Sequence, residues 1–357
     1  MLKEERKTKK SLKIMPLLIL MLLPMIAQSA LIDDCYHFSD YEDSPNASDY
    51  GEWWYFSFFQ EDIQGVVQYS LWDPAGLTED SYGLMYVSVF WQDSMVEMYF
   101  PVPWNDIVTS ETSADLVMGP NTIEVVDGEY QLDGYIEDIY GGTGDTVAWS
   151  LRYVQDSPSL CGFRNMRVFP LDPNEEMNWY VQMPSATIQG TVVINGEPVS
   201  ISARGYHDHN WGVWKLYHGL WNWFQTNEPC LAIVGHDFYG LLRGEISILL
   251  DGEEITFRHW QYQLTNYDWT FVPEAFAFYP RKTLITACNW KYSLVLEIAV
   301  QQTGLVARAY DEPPIAWIVF ESTAMFEGRI RKFGRVVDEI DTFGFREYTT
   351  NVLIPNT

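Results

Sequence analysis

The chain has 357 residues, 47% of them hydrophobic and 16% aromatic, with 15 tryptophans and 49 acidic against 22 basic side chains for a formal charge of -27. A surface this acidic repels phosphate backbones and anionic membranes, which excludes nucleic acid as a partner; salt adaptation explains the charge without any specific cationic partner.

Residues 1 to about 30 read as a secretory signal. Lys3, Arg6, Lys7, Lys9, Lys10 and Lys13 precede an apolar run from Ile14 to Ile26, and Ala27-Gln28-Ser29-Ala30 supplies small residues for cleavage. The run is about half of what a membrane span needs and is broken by Pro16 and Pro24. The expected product is a secreted or cell-envelope protein with no integral span. Loss of six basic and two acidic residues takes its charge to about -31. The remaining chain of about 325 residues exceeds the size at which one core keeps growing, so two domains are expected. They are taken as 31–212 and 213–357, the boundary lying between Gly212 and Asn227. Cys35, Cys161, Cys230 and Cys288 survive processing, and in an oxidising exterior they allow two disulfides in three connectivities.

From Trp54 onward nearly every segment alternates with period two and is rich in aromatic and β-branched residues, the pattern of strands with one buried face. Strands are expected at 54–59, 65–72, 84–90, 96–100, 122–126, 130–137 and 147–153, then at 178–183, 188–194 and 199–203. The same texture resumes at 232–238, 245–250, 254–259, 283–288, 293–300, 316–321 and 324–330. Asp127-Gly128, Gly141-Gly142, Asn195-Gly196 and Asp251-Gly252 punctuate them, and Asn195-Gly196 is the clearest hairpin turn. No helical period persists over three or four turns. The fold class is therefore all-β, with strand spacing suited to barrels or sandwiches.

Between the two strand series lies Gly205-Tyr206-His207-Asp208-His209-Asn210-Trp211-Gly212, which holds two of the six histidines. If it is extended, Tyr206, Asp208 and Asn210 share one face, and His207, His209 and Trp211 share the other. The flanking glycines permit a bend or a close backbone approach. If this segment joins two domains, its side chains line the crevice between them, a common place for ligands. His236-Asp237 on a later strand can bring a second imidazole or acid to that crevice. Glu52-Trp53-Trp54-Tyr55-Phe56 reads mainly as an aromatic core strand from which Glu52 or Trp54 reaches the pocket. Trp221, Trp223 and Phe224 alternate as one face of a strand, serving as barrel core or pocket wall.

Three roles fit this cluster. An acid held protonated by burial can protonate an electron-rich double bond, with aromatic faces stabilising the carbocation. His207 and His209, two apart on one face, can ligate a metal if His218, His236 or Glu52 arrives as a third ligand. Alternatively Asp208 and the histidines form a satisfied hydrogen-bond network that clamps two domains together. G-x-S-x-G, P-loop and dinucleotide fingerprints do not occur, so triads and nucleotide cofactors have no support.

The E-W-W-Y-F start and the G-Y-H-D-H-N-W-G centre together resemble the hydroxyneurosporene synthase family, the carotenoid 1,2-hydratases and their relatives. The resemblance implies two lipocalin-like β-barrels packed side by side and cofactor-free hydration of an isoprenoid alkene, or a related cyclisation or isomerisation. It places Asp208, His209 and Trp211 at the centre, with Tyr206 and His207 beside them. Asp208 is expected as proton donor and His209 as its tuning partner or the orienter of water; Asp237, with His236, is the alternative acid. Trp54, Glu52, Asn210, Trp221 and Trp223 are expected around an apolar small molecule. A lipocalin-like carrier that binds such a molecule without transforming it is the alternative function.

Overall fold

A computed structural model describes residues 33–78, 81–92, 94–138, 142–239, 243–310 and 314–353. The expected signal segment lies outside these residues. The protein is all-β, 72% strand and 5% helix, and forms a nearly closed barrel and a half-barrel sheet, as the period-two texture implies. Among the described residues no helix is long and apolar enough to cross a membrane.

Twelve strands between Tyr50 and Val213 make the first sheet, and nine between Trp221 and Leu353 make the second; every pairing is antiparallel. In the first sheet Tyr50–Gln60 pairs with Glu197–Val213, so the sheet's first and last strands meet and draw it toward closure. In the second, Trp221–Glu228 pairs with Arg335–Leu353 in the same way.

Several strands run longer than the sequence pattern marks. Glu176–Ile194 and Glu197–Val213 are single strands of 19 and 17 residues joined at Asn195-Gly196, and both turn residues have positive φ, 52° and 83°. That is the backbone an Asn-Gly two-residue hairpin requires. Ile315–Lys332 runs unbroken through Glu321, where the expected strands stopped, and its partner Arg335–Leu353 was missed because charged residues interrupt its alternation.

The three largest of five buried apolar clusters among the described residues form layers. One core fills the first barrel around Trp54, Phe56, Tyr69, Leu132 and Trp149. Another fills the half-barrel around Phe224, Ile248, Leu296 and Phe326. The third lies between the sheets, where Trp53, Tyr55, Trp179 and Tyr206 meet Trp221, Trp223, Phe238, Trp317 and Phe345. No two of the four cysteines are bridged: Cys35 is buried and Cys161, Cys230 and Cys288 are exposed. Neither of the two disulfides that the sequence allows is formed.

Candidate functional site

The octapeptide is the second half of Glu197–Val213, a strand paired on both sides: Asp208 faces Tyr55 and His209 faces Trp54 on one neighbour, while His209 faces Tyr180 on the other. Its backbone groups are thus held by ladders, and its side chains alternate strictly between two environments. A Cβ on Gly205 would stand 2.5 Å from the Ser57 carbonyl oxygen, and one on Gly212, whose φ is 145°, 2.3 Å from that of Glu176. Both glycines are places of close backbone approach. The pairing with Glu176–Ile194 slips between Tyr180 and Met183, opposite Asp208, a bulge of the kind that re-aims side chains.

One face points into the first barrel. Here His209 Nε2 lies 2.9 Å from Glu52 Oε1 and His207 Nε2 lies 3.0 Å from Asp34 Oδ2. His37 Nδ1 is 3.3 Å from Glu52 Oε1, and Tyr50 donates to Glu52 Oε2 at 2.7 Å. Tyr130 donates to Asp34. The imidazoles stack between aromatic rings, His207 on Phe56 and His209 on Trp54, with His37 on Trp211 at 4.0 Å. Burial alone would raise the Asp34 and Glu52 carboxyls, but the histidines hold both below the ordinary range. Asp34 and His37 belong to the segment before the first strand, which supplies partners that sequence spacing could not supply.

The metal reading is altered by this geometry. Ligand atoms of His37, Glu52 and His209 lie within 4.8 Å of one another, whereas His207 is engaged by Asp34 instead. Glu52 does arrive beside His209, but His218 is bound to Glu175 and His236 lies on the second sheet. Three ligands that already saturate one another in a sealed interior describe a structural polar network better than the open coordination of a catalytic metal.

The opposite face points between the sheets. Asp208, 3% exposed, accepts hydrogen bonds at Oδ2 from Trp179 Nε1 (2.7 Å) and the Tyr206 hydroxyl (2.6 Å), and at Oδ1 from Asn210 Nδ2 (3.1 Å). Burial drives its carboxyl up to about 7, against the lowering effect of the Tyr206 and Trp179 bonds. With Oδ2 occupied by two short donors, Oδ1 is the atom left to carry a transferable proton. Around it lies a small chamber of about 30 Å³ walled by Trp53, Tyr55, Phe163, Met177, Trp179, Asn210, Trp221, Trp223, His236, Phe238 and Glu347. His236 packs edge-on against Trp179 at 4.7 Å, its Nδ1 has no partner, and burial lowers its pKa to about 3, so the ring is neutral.

The expected residues therefore divide. Asp208, Asn210, Trp221, Trp223 and His236 line the chamber, and Tyr206 supports Asp208 from its edge. His207, His209, Trp211, Glu52 and Trp54 do not: alternation turns them into the first barrel. The hydrogen bonds to Asp208 come from Trp179, Tyr206 and Asn210, not from His209. Asp237 is turned away from His236 by the same rule and accepts from Tyr262 at 2.7 Å on the far side of the second sheet. Trp53, Tyr55, Phe163, Trp179 and Glu347, which line the chamber, were missed, and so was Glu321, which accepts a hydrogen bond from Tyr55. A glutamate within the apolar run Ala316-Trp317-Ile318-Val319-Phe320-Glu321 was the one legible signal among them.

No protein-family model matches this sequence, and no curated protein matches it. Solved structures do match. A protein from Nitrosomonas europaea with a provisional AttH assignment aligns over 84% of this chain and 92% of its own, with a TM-score of 0.62 and 14% identity. CghA aligns over 88% and 94%, with a TM-score of 0.54 and 9% identity, and CghA with Sch210972 over 87% and 93%, at 0.52 and 10%. At such identities the likeness carries the fold and not the narrower hydroxyneurosporene synthase assignment. The chain shares the all-β fold of these structures.

Proposed function

We propose that this protein is an exported enzyme that binds an apolar, isoprenoid-like molecule between its two sheets and hydrates, cyclises or isomerises it by acid catalysis, with Asp208 as proton donor. The observation that carries the reading is a fully buried carboxyl, raised to about 7, on the wall of an aromatic chamber that no lysine or arginine among the described residues lines. Such a group is protonated often enough near neutrality to act as an acid and ionises readily once the proton has left.

Asp208 passes its proton from Oδ1 to one carbon of an electron-rich double bond. The π pair becomes the new C–H bond, and the adjacent carbon is left cationic. The ring faces of Trp53, Trp179, Trp221 and Trp223 stabilise that charge through their quadrupoles. Water then bonds to the cationic carbon and gives its extra proton to the Asp208 carboxylate directly or by way of the neutral His236 ring, restoring the acid. Attack by a second double bond closes a ring and moves the cation to that bond's other carbon, which then takes up water or loses a neighbouring proton to the Asp208 carboxylate; proton loss to the carboxylate without ring closure gives an isomer. The chemistry calls for no cofactor. That CghA has a structure with the small molecule Sch210972 supports a ligand-binding use of this fold.

The test is Asp208→Asn, with tryptophan fluorescence for binding and mass spectrometry for product, on a panel of acyclic isoprenoid alkenes. An enzyme of this kind adds the mass of one water, or yields an isomer, in the wild type; the variant keeps affinity and loses at least about a hundredfold in turnover. Binding without product in the wild type makes the protein a carrier and ends the catalytic reading.

A further inference from the structure

The half-barrel sheet ends in two neighbouring turns. One joins Ala277–Cys288 to Tyr292–Tyr310 and carries Trp290; the other joins Ile315–Lys332 to Arg335–Leu353 and carries Phe333. The Phe333 N–H donates to the Lys291 carbonyl at 2.9 Å, which ties the turns together, and the two rings lie 5.8 Å apart. Both rings face water: Trp290 is 83% exposed and Phe333 66%. Single exposed apolar side chains are ordinary, but two large rings side by side on adjoining turns mark a surface that meets something apolar.

Positive charge gathers at the same place. Arg329, Arg331, Lys332 and Arg335 fall within seven residues that hold no acid, in a chain of 49 acids and 22 bases, and Lys291 adds a fifth from the other turn. Glu253 ion-pairs with Lys291 and, at 3.1 Å, with Lys332, so one acid serves two lysines. Glu339 stands opposite Arg329 on the paired strand, and Asp251 and Asp338, further acids of this end, lie near each other. Among the described residues none of Arg329, Arg331 and Arg335 has an acid within ion-pair distance. These guanidinium groups are left to meet negative charge outside the chain.

Aromatic rings flanked by arginine and lysine suit an anionic lipid interface: indole and phenyl settle at headgroup depth, and the bases pair with phosphate. At 83% exposure Trp290 packs against almost nothing of its own chain, an arrangement for entering a lipid layer and not for gripping a peptide in a groove. The charge of -27 repels an anionic surface at a distance, but charges beyond about 8 Å are largely screened at physiological salt, so the end that touches decides. We propose that this end of the half-barrel is a membrane-docking surface: Trp290 and Phe333 enter the headgroup region of an anionic bilayer, and Lys291, Arg331, Lys332 and Arg335 lie along its phosphates. The docking is peripheral and reversible, because two rings and a few bases hold far less strongly than a membrane span. A bilayer is where an apolar ligand concentrates, but the proposal does not rest on the reaction assigned to Asp208.

The test uses the chain from residue 31, the expected product of processing, since the basic and apolar leader would bind vesicles by itself. Flotation is measured with vesicles of phosphatidylcholine alone and of an equal mixture with phosphatidylglycerol. The protein is expected to bind the anionic vesicles at least about tenfold tighter. Arg331→Gln/Arg335→Gln is expected to remove that preference, and Trp290→Ser/Phe333→Ser to weaken binding to anionic vesicles at least about tenfold. Phe276→Ser alters an exposed ring at the opposite end of Ala277–Cys288 and is expected to bind as the wild type does. An unchanged thermal midpoint shows that each variant is folded. Absence of binding to either vesicle overturns the proposal, as does an equal loss in Phe276→Ser, which puts the contact at the other tip. Loss in the arginine variant with none in the aromatic variant makes the patch a polyanion site and also overturns it. Self-association in sedimentation velocity that the arginine variant abolishes, without vesicle binding, assigns the patch to a second copy of this acidic chain and ends the docking reading.

Discussion

At the scale of single residues, the state of Asp208 is set by the balance between burial and donors. Desolvation disfavours its anion, and the Trp179 and Tyr206 bonds restore only part of that loss, which leaves the carboxyl at about 7. Asp34 and Glu52 are equally buried, yet imidazoles face them and they fall below the usual range. The same side-chain chemistry thus becomes an acid or an anchor according to what stands opposite. Trp179→Phe removes one donor to Oδ2 without emptying the wall. The Asp208 carboxyl is then expected to titrate about one pH unit higher, measured by the pH dependence of its carboxyl carbon resonance. An unchanged or lower midpoint would contradict the role assigned to the indole.

At the scale of elements, Glu197–Val213 serves two interiors at once. Its period of two sends imidazoles into the first barrel and the acid and amide between the sheets, so the strand that presents Asp208 is itself pinned by His207–Asp34 and His209–Glu52. Glu52→Gln leaves His209 and His37 buried without their carboxylate. The expected cost is about 3–5 kcal/mol in unfolding free energy by urea denaturation, with ligand affinity of the folded fraction unchanged. A loss under about 1 kcal/mol would mean that the network is not what holds the strand. The alternation across this strand was legible in the sequence. The assignment of both faces to one crevice was not correct, because nothing local says that a second interior lies behind a strand.

At the scale of the whole molecule, the site is a property of the layer between two sheets, and so is its pH dependence. Asp208 is raised from an ordinary 3.8 to about 7 in the native state, and burial pushes Glu321 and Glu347 the same way. A group whose native pKa is raised favours the folded state below its unfolded pKa, and that contribution is lost as pH rises through the native value. For Asp208 the gap corresponds to about 4 kcal/mol, lost between about pH 4 and pH 7. Urea unfolding across this range should show Asp208→Asn gaining on the wild type by a few kcal/mol as pH rises. A constant difference would place Asp208 at an ordinary pKa.

Period two, Asn195-Gly196 and the polar octapeptide between glycines were enough to determine an all-β chain, a hairpin, and a strand with an acidic and an imidazole face, since each depends on neighbours within a few residues. Which residues share the chamber depended on contacts across long stretches of chain. Tyr55 meets Glu321 across 266 positions, and Trp179 meets Asp208 across 29. Only the tertiary structure decided that His209 belongs to one interior and His236 to another, because strand pairing and sheet packing, not spacing along the chain, set what lies opposite a side chain. That is also why the Glu321–Glu347 pair, two isolated acids in the sequence, becomes visible as a unit only when their strands lie side by side.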